Sequence, residues 1–91
     1  MRITAELSLY PFNEHYITHI KAFIEFLNDV PELHVETHAT CTIIHGEDQQ
    51  VMDTIRDGLR WCHRQDQRVV LVTKFIPGHR IAAPDQDTAE H

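Results

Sequence analysis

The first candidates for chemistry lie in "AELSLY", residues 5 to 10, which alternates with a period of two. Ala5, Leu7 and Leu9 point to one side of a strand, and Glu6, Ser8 and Tyr10 to the other. A carboxylate, a hydroxyl and a phenol sharing one strand face can meet a ligand, meet another subunit or stand in water. A second set is "HVETH", where His34, Glu36 and His38 share a face in the manner of two imidazoles and a carboxylate around a metal. Residues two apart on a strand stand roughly 7 Å apart, so three of them reach one ion only with strain. The order is not HExxH either, and a solvated edge strand is the preferred reading; no metal site is expected. His15 and His19 stand at i, i+4, away from the apolar stripe of their helix, and are read as wet. Cys41 and Cys62 have no CxxC or zinc-like spacing and are read as two reduced thiols.

The composition narrows the partners. Ninety-one residues suffice for one domain with one core. A formal net charge of −6 argues against nucleic acid or an anionic membrane surface and leaves neutral or cationic small molecules open. No signal-peptide pattern is seen, and no apolar run approaches the roughly 20 residues of a membrane span, so a cytoplasmic location is expected. No cofactor is implied.

The elements that must position these residues follow from periodicity. A strand over about residues 2 to 10 stops at Pro11. Asn13 is read as the cap of a helix over about 14 to 29, with Phe12 stapled onto Ile17 and a stripe of Ile17, Ile20, Phe23, Ile24 and Leu27. Two short strands follow, "LHVETH" and "CTIIHG", turning near Ala39 and Thr40. Gly46, Glu47 and Asp48 are expected to open a second helix with the stripe Val51, Met52, Ile55, Leu59 and Cys62. Gly58 inside it suggests close packing, and Trp61 lies off the stripe. "RVVLVTKFI" is the last strand. Residues 78–91 read as a flexible tail after a single domain over 1–77.

The order β-α-β-β-α-β predicts a ferredoxin-like α+β sandwich, an antiparallel sheet with both helices on one face and the first strand central. The last strand carries Val69 and Leu71 on one side and Val70 and Val72 on the other, and Ile43 and Ile44 likewise face both ways. Two helices of one chain can cover one face only. A homodimer or homotetramer joined through the sheets is therefore expected.

"ITAELSLYPFNEHY", "VETHATCTIIHGEDQQVM" and "RVVLVTKFI" together resemble the YkoF-like thiamine-binding proteins, the small single-repeat kind, over residues 2 to 76. The most specific parts are "AELSLYP" and the spacing ET-x-A-x-x-T-x-x-x-G from Glu36 to Gly46. The resemblance implies a ferredoxin-like subunit, assembly through sheets, and binding of thiamine or its hydroxymethylpyrimidine part without catalysis. His38 stands where members often carry asparagine. Thiamine has a cationic thiazolium and an aminopyrimidine with donors and acceptors. Glu6 suits the cation or the amino group, Ser8 and Thr42 offer hydroxyls, Tyr10 can stack, and His38 joins them as a candidate contact, the site being expected on or near the sheet face between subunits.

Two other functions fit the same topology. A cofactor-free isomerase or monooxygenase would want a His with a carboxylate at a pocket mouth, and His45 with Glu6 is the nearest approach. No nucleophile, base and orienter assemble from the spacing. An amino-acid-sensing module would ordinarily be fused to an effector domain.

Overall fold

A computed structural model describes residues 1–65 and 68–78. The chain runs β1 (Arg2–Pro11), α1 (Tyr16–Asn28), β2 (His34–Thr37), β3 (Thr42–Glu47), α2 (Asp48–Arg64) and β4 (Val69–Pro77). The four strands form one sheet in the order β2-β3-β1-β4, with every neighbouring pair antiparallel. This is the ferredoxin-like arrangement, with β1 central. Of the expected tail, residues 79–91 lie outside the described residues; Gly78 still donates its backbone N–H to the Arg2 carbonyl at 2.8 Å.

The period of two sorts β1 as its sequence requires. Ile3, Ala5 and Leu7 are buried, and they join Phe23 and Leu27 of α1, Ile44 of β3, and Val51 and Cys62 of α2 in one core. Register carries the same face across the sheet: Val35 pairs with Ile44, which pairs with Ala5. The opposite face holds Thr4, Glu6, Ser8 and Tyr10. Thr4 and His45 lie directly opposite each other there, both buried, with Thr4 Oγ1 2.8 Å from His45 Nδ1. On β4, Val69 and Leu71 pack against the core while Val70, Val72 and Ile76 are exposed. That apolar strip lies on the uncovered side of the sheet.

Several local expectations are corrected. Asn13 does not cap a helix at 14: its Oδ1 accepts from the His15 N–H at 2.7 Å, a tight turn that delays α1 to Tyr16. Phe12 and Ile17 are both exposed, so no staple buries them. Gly46 and Glu47 end β3 rather than open a helix, because Arg2 pairs with Glu47 and the Asp48 N–H donates to the Met1 carbonyl. The buried face of α2 is Val51, Thr54, Gly58 and Cys62; Met52 and Leu59 are exposed. Thr54 turns inward without penalty because its hydroxyl donates to the Gln50 carbonyl at 2.7 Å. Trp61 is half-buried and closes a cluster with Phe23 and Phe26, the Phe26–Trp61 centroids 5.8 Å apart. Gly58 costs roughly 1 kcal/mol relative to alanine in a helix interior. The reason is local: a Cβ there would lie 3.0 Å from Phe23 Cε1.

Candidate functional site

Burial rises along α1. Tyr16 and Ile17 are exposed, Ile20 is half-buried, and Phe23 and Leu27 are fully packed. The helix therefore meets the sheet closely at its C-terminal end and parts from it toward its start. The β2–β3 turn fills one side of the opening. The His38 N–H donates to the Cys41 carbonyl at 2.9 Å, leaving Ala39 and Thr40 as a two-residue tip, and Ser8 Oγ donates to the Thr40 carbonyl at 3.3 Å. Between α1, the end of β1 and this turn lies a cavity of about 570 Å³. Such a volume suits a small organic ligand.

The cavity is built in layers. Leu7, Leu9, Ile20, Phe23 and Ile24 line it with Phe12 and Tyr16, while Tyr10 borders it at the end of β1 from the strand phase that pairs with Val70 on the uncovered face. Thr42 brings a hydroxyl from the helix side of β3, and Ser8, His38, Ala39, Thr40 and Cys41 border the cavity at the turn, with the Ser8 hydroxyl held by the Thr40 carbonyl. Among the described residues, no Asp, Glu, Lys or Arg borders it. A planar, hydrogen-bonding heterocycle meets suitable partners in such a lining: ring faces for stacking and short polar groups for its edges.

Of the residues expected at a ligand site, Ser8, Tyr10, His38 and Thr42 border this cavity. Thr42 pairs with Leu7 and so faces the helices, on the opposite side of the sheet from the Glu6 side chain. It is buried, and among the described residues its hydroxyl has no hydrogen-bond partner in the protein, which leaves it to the cavity. Glu6 stands apart. It lies opposite Ile43 and Lys74 on the uncovered face, with its Oε1 3.9 Å from Lys74 Nζ. Ile20, Phe23, Ile24 and Phe12, which the sequence pattern assigned to the helix stripe and its staple, also border the cavity, as does Tyr16. The one hint in the sequence is the density of rings in "YPFNEHY", at the corner where β1 gives way to α1.

"HVETH" divides. His34 Nε2 and Glu36 Oε2 are 3.5 Å apart on the uncovered face, whereas His38 belongs to the turn at the cavity. Among the described residues, no three His, Cys, Asp or Glu side chains gather as a metal site. The two thiols also differ. Cys41 is half-buried at the cavity, while Cys62 is buried on α2, where loss of water pushes its pKa up. No described helix is long and apolar enough to cross a membrane.

Comparison with known proteins bears on this arrangement. A family model for the YkoF-related family matches residues 2–78. The fold is similar to a protein from Thermotoga maritima provisionally assigned to thiamine biosynthesis or salvage, at 19% identity, TM-score 0.77 and 100% of both chains covered. It is similar also to a protein from Methanocaldococcus jannascii, at 20% identity and TM-score 0.78, covering 98% of this chain and 94% of that one. A Streptococcus pneumoniae protein aligns at 21% identity and TM-score 0.77, covering 98% and 99%. At these identities the likeness establishes the fold. No curated protein sequence matches the chain significantly.

Proposed function

The chain belongs to the YkoF-related family, and on that footing we propose that it binds thiamine, or the hydroxymethylpyrimidine part of it, without transforming it. The observation that carries this reading is the cavity between α1, the end of β1 and the β2–β3 turn. An aminopyrimidine is flat, neutral at pH 7, and edged by donors and acceptors. Phe12 and Tyr16 offer ring faces, and Thr42 and His38 offer partners for the edge. The Thermotoga maritima relative in fold, with its provisional thiamine assignment, supports the same ligand class.

The uncovered sheet face has a separate role in this reading. Val70, Val72 and Ile76 are the apolar part of a seam through which copies of the chain associate as a dimer or tetramer. Isothermal titration with thiamine, its phosphate esters and hydroxymethylpyrimidine tests the proposal. Saturable binding of thiamine or hydroxymethylpyrimidine, with the compound recovered unchanged, is expected. Absence of binding by both, or their conversion, would contradict it.

A further inference from the structure

We infer that Gly58, on the far helix and outside the cavity, sets the size of the ligand the cavity accepts by fixing the position of the Phe23 ring. This rests on the cavity being the ligand site. Gly58 is buried in the middle of α2, where glycine is a poor helix former. A Cβ built there would lie 3.0 Å from Phe23 Cε1, 3.4 Å from Phe23 Cζ and 3.6 Å from Phe26 Cε2, tight enough at Cε1 that the Phe23 ring must give by a few tenths of an ångström. Phe23 is 3% exposed and belongs to both environments: it touches α2 at Gly58 and it borders the cavity. Its flanks are occupied by Phe26 and Trp61, each ring centroid 6.4 Å from its own. With Phe26 and Trp61 against the ring and the cavity bordering it, a Cβ at 58 is expected to move the ring toward the cavity. The bare backbone at 58 lets the ring sit back against α2 and leaves that volume to a ligand. Gly58 is a positioning residue, acting through Phe23.

The test is Gly58→Ala, with thiamine and hydroxymethylpyrimidine titrated in parallel and a crystal structure of the variant. Thiamine, the larger ligand, should bind at least fivefold more weakly, while hydroxymethylpyrimidine changes by less than twofold. Adding Phe23→Leu removes the ring tip and should restore thiamine binding to within twofold of Phe23→Leu alone. The crystal structure should show the Phe23 ring displaced toward β1. Unchanged thiamine affinity, an equal loss for both ligands, or no rescue by Phe23→Leu would overturn the inference. If Gly58→Ala does not fold, the double variant should; failure of both overturns it as well. Wild-type protein that binds neither compound refutes the ligand reading. The ring position in the Gly58→Ala crystal then decides the Gly58–Phe23 coupling by itself: a ring moved into the cavity supports it, and an unmoved ring overturns it.

Discussion

Thr42→Val changes one atom of the cavity and little else. The side chains are nearly the same shape, valine is a good strand residue, and Thr42 faces the helices opposite Leu7. Its hydroxyl is bonded to nothing among the described protein groups, so the substitution breaks no hydrogen bond in the fold. Stability should therefore hold within about 0.5 kcal/mol or rise slightly, because a buried polar group has been replaced by an apolar one. Binding should respond differently. A neutral hydrogen bond contributes about 0.5–1.5 kcal/mol net, and a ligand edge left facing a methyl loses that and part of its desolvation cost. About 1–2 kcal/mol is expected, which is roughly five- to thirtyfold in affinity. Titration calorimetry with hydroxymethylpyrimidine reads the affinity, and thermal denaturation reads the stability. Glu6→Gln serves as the contrast, since Glu6 stands on the uncovered face beside Lys74; it should move affinity by about 0.5 kcal/mol or less. Unchanged binding in Thr42→Val, or a large loss in Glu6→Gln with assembly intact, would refute the assignment of the site to the helix side of the sheet.

Other expectations follow from the same structure. Val72→Glu places a carboxylate on the uncovered strip and should shift sedimentation at micromolar concentration toward monomer with the fold retained; an unchanged assembly would remove Val72 from the seam. Iodoacetamide at pH 8 should modify Cys41 in the native protein and spare Cys62 until unfolding, because the thiolate is the nucleophile and burial disfavours it at Cys62. Since the folded-state pKa of Cys62 is raised, its neutral form contributes stability fully present below the ordinary thiol value of 9.0 and lost as pH rises through the folded one. The melting temperature should accordingly fall more steeply above pH 9 than that of Cys62→Val. Glu32 holds a φ of 63°, a left-handed conformation that costs roughly 1 kcal/mol without glycine. Glu32→Gly should raise the melting temperature by a few degrees, and a fall would contradict the strain.

Much of the fold was legible in the sequence because two periods carried it. The alternation in "AELSLY" assigned β1's inner and outer residues, and Phe23 with Leu27 marked the packed end of α1. The βαββαβ order then put β1 at the centre. What escaped notice depended on partners distant in sequence. The buried face of α2 includes Thr54 and Gly58, which no count of apolar residues would choose; one is admitted by its own hydrogen bond and the other by the Phe23 ring. Thr42 was grouped with Glu6, but alternation within a strand does not fix register between strands, and the pairing of Leu7 with Thr42 sets them on opposite sides. The cavity was the least legible of all. It lies where α1, the end of β1 and the β2–β3 turn meet, and many of its wall residues read as ordinary core.

The most direct measurement is a crystal structure of the protein soaked with thiamine or hydroxymethylpyrimidine. The pyrimidine ring is expected between α1 and the β2–β3 turn, within hydrogen-bond distance of Thr42 or His38 and against the ring of Phe12 or Tyr16. A ligand seated instead on the uncovered sheet face beside Glu6, or a cavity left empty under conditions where calorimetry shows saturation, would contradict it.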